Sequence, residues 1–329
     1  MKLGAVIRGY HIVSEPTNDG GGKCVWAFAV RGGRHYFIKR FLEPKRPKEG
    51  STASAASKAA RLRECAEFER RQRDIMSRLA HDVTGAGNLV LAVDFFHEGT
   101  TYYKVTERIT PSPLNAPHAL PPRDKSVLLK TLGLSVGLLH GIGVVHGDLK
   151  PSNVLIQQKG PHAFHTAKLI DFDDSYVSGH PPGPEMITGD SVYGAPEWRR
   201  YVQGDPDARP GHLTTSVDVF ALGLMAHRYL TGTIPGFDDR YDSPADAVMA
   251  GERLRVDERL APRVRGLLEA MTSLDPAARP PIAAFLATLG DPEACVLHAR
   301  PPEGRTDAVP PPAPRPGSRV RINLGDGRR

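Results

Sequence analysis

The stretch VVHGDLKPSNVLI, residues 144–156, sets Asp148, Lys150 and Asn153 in one short polar loop between two apolar runs. This is the layout of a phosphoryl-transfer site. Asp148 can accept a proton from an attacking hydroxyl, Lys150 can steady the moving phosphoryl group, and Asn153 can hold a Mg²⁺ ion. A single loop of this kind also arises by chance, so the rest of the chain has to supply the remaining parts at workable distances.

It does so in order. KLIDFDDS (168–175) places Asp171 directly after a short apolar run, 23 residues beyond Asp148, where a second metal ligand is needed. GDSVYGAPEW (189–198), SVDVFALGL (216–224) and LDPAARP (274–280) follow. HGDLKPSN resembles the catalytic loop of protein kinases, DFD their DFG motif, and GAPE the segment that ends in APE. SVDVFALGL is similar to the kinase helix whose buried aspartate, here Asp218, fastens the catalytic loop. LDPAARP carries Arg279, which the resemblance pairs with Glu197. The family resemblance covers roughly residues 9–289 and implies an α+β, two-lobed kinase-like fold with ATP and Mg²⁺, or Mn²⁺, in the cleft.

The first lobe supplies the nucleotide side. Lys39 ends the run YFIK, 109 residues before Asp148, and resembles the kinase strand lysine that contacts the α- and β-phosphates. Its usual partner is a helix glutamate. A gap-free register gives Gln72, with Glu69 one turn earlier and Glu67 further back, and Glu69 is the residue taken here as the partner. Gly20, Gly21 and Gly22 stand for the glycine-rich loop, since glycine lets backbone N–H groups approach phosphates closely. Lys23 occupies the place of its last glycine, and Val25 that of the valine that follows. Phe37 replaces a small alanine and should tighten the adenine slot. Thr106 aligns as gatekeeper, and Glu107 to Ile109 as the hinge that meets adenine through its backbone.

Composition bounds the rest. The chain has 329 residues, 40% hydrophobic and 24% charged, which reads as a soluble globular body. A formal charge of +6 is read as a solvated basic surface, with no motif for nucleic acid. Cys24, Cys65 and Cys295 form no CxxC pair, which argues against a zinc site or a disulfide framework. No apolar run reaches the ~18 residues of a membrane span, and the opening MKLGAVIRGY is too soon polar for a signal peptide, so the expectation is a cytoplasmic protein.

Residues 1–42 read as a small antiparallel sheet, with a hairpin turning at Gly32-Gly33. Residues 43–58 lack periodicity and read as a loop, and a long helix is expected over roughly 56–80. Strands are expected at 88–96 and 101–109, and helices at 124–140, 216–231 and 281–289. The domains are therefore a sheet-rich lobe over 1–107, a helical lobe over 108–290, and a tail over 291–329 in which eight prolines argue for disorder.

Several departures from the family pattern carry their own expectations. Gly147 replaces an arginine that would bind a phosphorylated activation loop, so switching by that route is not expected. Asp190 stands where Ser/Thr kinases usually carry a threonine. Asp173 replaces the glycine of DFG, and with Asp174 it adds carboxylates that could bind metal or merely cap a turn. The favoured activity is phosphorylation of protein Ser/Thr, because DLKPSN is more similar to Ser/Thr than to tyrosine kinases. The variants together also resemble bacterial kinases grouped with a metal-dependent phosphatase and a von Willebrand factor A protein in tellurite-resistance systems. The rival readings are a pseudokinase acting as a binding module and a small-molecule phosphotransferase.

Overall fold

Alternating apolar residues in the first part of the chain form antiparallel strands, because one face of each strand can then be buried while the other meets solvent or a second layer. A computed structural model describes residues 1–20, 22–81, 88–160 and 162–299. The strands are β1 (Val6–Ile7), β2 (Tyr10–Ile12), β3 (Cys24–Arg31) and β4 (Arg34–Phe41). Gly32 and Gly33 both take positive φ at the β3–β4 turn, the conformation that a two-residue hairpin requires. Helix α1 (Ala55–His81) follows, then β5 (Ala92–Glu98) and β6 (Thr101–Glu107). The sheet order is β1-β2-β3-β4-β6-β5.

Each face of this sheet buries its own cluster. Ala27, Ala29, Ile38 and Val105 are covered by Ile7, Tyr10 and Ile12 of the first hairpin. On the opposite face, Phe41, Phe95 and Tyr102 meet Cys65 and Phe68 of α1. The buried stripe of α1 continues through Gln72, Ile75 and Leu79 at helical spacing, and its last members join the core of the second lobe.

The expected strand at 88–96 is divided. Val90 N donates to Leu169 O at 2.9 Å and Leu169 N donates to Asn88 O at 2.8 Å, so residues 88–90 tie the two lobes together. Only from Ala92 does the chain pair with β6. An apolar run reports burial, and periodicity alone does not say which neighbour it pairs with.

The second lobe is built around α2 (Pro122–Gly141), whose Leu128, Leu129, Leu132, Val136 and Leu139 are fully buried. After it come β7 (Val144–Val145), β8 (Val154–Gln158), β9 (His165–Leu169) and β10 (Tyr176–Val177). Helices α3 (Pro196–Val202), α4 (Ser216–Thr231), α5 (Pro244–Met249), α6 (Pro262–Met271) and α7 (Ile282–Leu289) complete it. Helix α4 is apolar almost all round and lies inside the lobe.

The tail does not begin at Asp291. Residues Pro292–Cys295 form a short 3₁₀ turn, with Ala294 and Cys295 wholly buried and Leu297 packed on the same core. His298 N donates to Arg259 O at 2.8 Å. Proline content argued for disorder, but Pro292 starts a helical turn, where its missing N–H costs nothing. The part of the expected tail from residue 300 lies outside the described residues. The three cysteines are free and buried, and no helix among the described residues is long and apolar enough to cross a membrane.

Candidate active site

Two loops meet because two short sheets pin their ends. Strand β7 pairs with β10 and β8 with β9, which brings residues 146–153 alongside residues 170–175. Asp218, near the start of α4, accepts the backbone N–H of His146 at 2.8 Å and of Gly147 at 3.1 Å, and also meets His140 Nε2 at 3.1 Å. A buried carboxylate that receives two backbone donors fixes a loop strongly. Gly147 has φ +81°, and a Cβ there would lie 2.7 Å from the Asp174 carbonyl oxygen. Glycine is therefore required by the approach of the two loops, and no arginine fits at this position.

Asn153 donates its amide to the Asp148 backbone oxygen at 2.7 Å and to Asp148 Oδ2 at 2.9 Å. Lys150 Nζ lies 2.9 Å from the same Oδ2 and 3.6 Å from Asp190 Oδ2. Burial disfavours the Lys150 charge, but the carboxylates of Asp148 and Asp190 outweigh it and hold its pKa above the usual lysine value. Asp148 Oδ1 is buried with no hydrogen-bond partner among the described residues. So is Asp171 Oδ1. Buried acceptors are normally satisfied, so these two oxygens mark where exogenous groups are expected.

Asp171 takes φ +67°, unusual for a residue with a side chain, and its Oδ2 lies 2.6 Å from Lys39 Nζ. Burial and then the neighbouring Asp173 charge push its carboxyl pKa upward. Asp173 is neither in solvent nor spare for metal. Its Oδ2 meets Lys39 Nζ at 2.9 Å and its Oδ1 meets Lys104 Nζ at 2.7 Å. Burial alone would raise the Asp173 pKa, but Lys104 and Lys39 hold it well below the usual carboxylate range. Burial likewise works against the Lys39 charge, and Asp173 with Asp171 raises its pKa well above the ordinary value. Asp174 accepts from the Thr188 hydroxyl.

Glu69 is not the partner of Lys39. It takes Arg46 at 2.6 Å and the Tyr102 hydroxyl at 2.5 Å. One turn on, the buried Gln72 turns toward β6 and the 170–175 loop, accepting from Lys104 Nζ at 2.7 Å and donating to the Asp173 carbonyl oxygen at 2.9 Å. The signal was present, since Gln72 lies in the stripe Cys65, Phe68, Ile75, Leu79 and Glu69 beside it. Lys104 belongs to no motif of the family pattern. Its signal is the alternation on β6, where Tyr102, Lys104 and Thr106 share one face.

The cleft between the lobes holds about 300 Å³. Phe37 lines it, tilted by 31° against Trp26 with ring centroids 5.1 Å apart, and Thr106, Glu107 and Ile109 line it further along. Trp26 and Phe28 lie opposite Lys39 and Phe37 in the β3–β4 register and face the same side. Val25, one residue away, therefore faces the other side and does not line the cleft. The Arg108 guanidinium covers the Phe28 ring at 3.9 Å. Gly20, with φ +61°, reaches the cleft, whereas Gly22 at φ +54° does not line it and Lys23 is exposed. Gly21 lies outside the described residues.

Away from the cleft, Arg279 grips Glu197 through two hydrogen bonds of 2.6 and 2.8 Å and donates to Ser216 O at 2.8 Å. This buried fork joins the GAPE segment to α4 and to the end of the lobe.

The protein kinase domain model matches residues 22–288. Among similar curated proteins, human ribosomal protein S6 kinase alpha-3 is 27% identical over 194 residues, 59% of this chain and 23% of that protein. Human serine/threonine-protein kinase H1 is 27% identical over 66% of this chain and 49% of its own length. Serine/threonine-protein kinase pkn3 of Myxococcus xanthus is 31% identical over 46% and 28% respectively. The matches thus span half or less of each of these relatives. With the domain model covering both lobes and both pinned loops, the chain belongs to the protein kinase domain family.

Proposed function

We propose that the chain transfers the γ-phosphoryl group of ATP to Ser/Thr hydroxyls of a protein. The observation that carries this reading is the pair of buried, unpartnered carboxylate oxygens, Asp148 Oδ1 and Asp171 Oδ1, on adjacent loops. Asp148 Oδ1 accepts the proton of the attacking hydroxyl, while Lys150, already beside Asp148, faces the moving phosphoryl group. Lys39 meets the α- and β-phosphates from the sheet side. Asp171 and the amide oxygen of Asn153 would hold Mg²⁺ or Mn²⁺, which neutralises phosphate charge when bound. Among the described residues no group of three His, Cys, Asp or Glu is placed to cage a metal alone, so phosphate and water complete its shell.

Support for a protein acceptor comes from the named Ser/Thr kinases among the relatives. A metal-dependent phosphatase and a von Willebrand factor A protein as partners rest on motif resemblance alone. The rival reading, a nucleotide-binding module without transfer, is favoured by one observation: Lys39 is already engaged by two carboxylates. Purified chain with labelled ATP, Mg²⁺ or Mn²⁺ and a generic protein acceptor tests the proposal. Label on Ser or Thr, lost in Asp148→Asn, is the expected result. Nucleotide binding without any transfer would replace the kinase reading by its rival.

A further inference from the structure

Lys39 and Lys104 are directly opposed residues on neighbouring antiparallel strands, so their side chains leave the same face of the sheet. Like charges opposed in this way are destabilising. Asp173 lies between them, with one carboxylate oxygen on each ammonium group, at 2.9 and 2.7 Å. Its backbone carbonyl oxygen accepts from Gln72, which also accepts from Lys104. A single residue of the 170–175 loop therefore ties together β4, β6 and α1.

The helix contributes an amide here, which has no charge to set against Lys39. Glu69, the nearby helix carboxylate, is committed to Arg46 and Tyr102. Asp171 does reach Lys39, but under the kinase reading it must also serve a metal ion. Asp173 then remains as the carboxylate on both lysines. Among the described residues, the non-glycine residues with positive φ are Arg8 and Asp171, so the backbone at 173 does not call for glycine and accommodates the side chain without strain.

The geometry points to Asp173 as the positioning residue for Lys39 and Lys104, holding both ammonium groups in the cleft for nucleotide phosphates. It supplies from the metal loop the charge that a glutamate at position 72 would supply from the helix. Lys104 thereby becomes a second phosphate-facing cation. Because the same residue joins the sheet through its carboxylate and the helix through its backbone carbonyl oxygen, the small lobe is locked to the metal loop without any added phosphate group. This inference rests on the kinase reading for the identity of the ligand, and its test is separable from that reading.

The test uses the full chain with Mg²⁺ and a fluorescent ATP analogue, reading binding by titration, turnover separately, and melting for every variant. Asp173→Asn keeps the shape and removes the charge, and should weaken analogue binding at least tenfold. Asp173→Gly should do the same, and Gln72→Glu/Asp173→Gly, which returns a carboxylate from the helix, should bind within threefold of wild type. Unchanged binding by Asp173→Asn overturns the inference, as does a double variant that binds no better than Asp173→Gly. If both single variants fail to fold, the double variant decides: binding within threefold of wild type supports the inference, and lost binding overturns it. A wild-type chain that binds the analogue but transfers no phosphate refutes the kinase reading alone, since the binding comparison is read without turnover.

Discussion

The two lobes meet at one cleft but organise their charged residues in different ways. In the large lobe, Asp218 holds the 146–153 loop by its backbone N–H groups, so the loop needs only one carboxylate at one spacing. In the small lobe, the charges around Lys39 come from residues as much as 134 positions apart, and their partners have been exchanged. A loop held through its backbone keeps its motif visible, whereas a cluster held by side chains can relocate a charge without altering its geometry. The variation in this chain is concentrated accordingly on the nucleotide side.

Two substitutions separate the lobes most sharply. Asp148→Asn should lower kcat by about 10²–10⁴-fold and leave the KM for ATP near the wild-type value, because in the proposed reaction its orphaned oxygen takes the acceptor's proton and holds no phosphate. Asp171→Asn should lower kcat and also weaken metal-dependent nucleotide binding, since it removes charge from the oxygen set that would hold the ion. Steady-state kinetics against ATP at saturating acceptor give both quantities. Parallel losses in the two variants would erase the division between acceptor side and nucleotide side.

Arg279→Ala tests whether the large lobe is as rigid as its hydrogen bonds imply. The Arg279 side chain is fully buried against Glu197, and removing one partner leaves an uncompensated buried charge. Breaking such a pair typically costs about 3–5 kcal/mol. Chemical denaturation should show a large fall in the midpoint, and a small one would mean that the fork contributes little beyond local order.

Much of the fold was legible because periodicity and turn residues act locally. The β3–β4 hairpin, α1, α2, α4 and α7 lie close to where the residue pattern places them, and the order of the large-lobe motifs names the family. The illegible parts depend on tertiary neighbours. Sequence favours Glu69 over Gln72 because a carboxylate is the expected partner of a lysine, and nothing local indicates that Arg46 and Tyr102 already occupy it. Lys104 looked like one polar residue in a strand until the β4–β6 register set it opposite Lys39. Val25 matches the motif by position alone, and the strand alternation turns it away in favour of Trp26. The packed stretch 291–299 is hidden by the proline content of the whole segment 291–329, although its own Pro292 marks a helical start.

That stretch gives the next smaller effect. Truncation after Gly290 removes Ala294 and Cys295, both fully buried, together with the partly buried Leu297. Exposing the surface they cover on α2 and α7 should cost roughly 2–4 kcal/mol, seen as a lower melting temperature with the cleft intact. Truncation after Ala299 should leave the transition where it is. If the two truncations melt together, the large lobe ends at α7 and the extra packing is incidental.

The smallest expected effect bears most directly on the contrast between the lobes. Glu69→Gln keeps an acceptor for the Tyr102 hydroxyl and loses only the ion pair with Arg46. Both side chains of that pair are partly solvated, at 32% and 24% exposure, where such pairs contribute about 0–1 kcal/mol. Stability should therefore fall by no more than that, and ATP affinity should not change, because Lys39 is held by Asp171 and Asp173. A tenfold rise in the KM for ATP would return Glu69 to the cleft as the partner of Lys39.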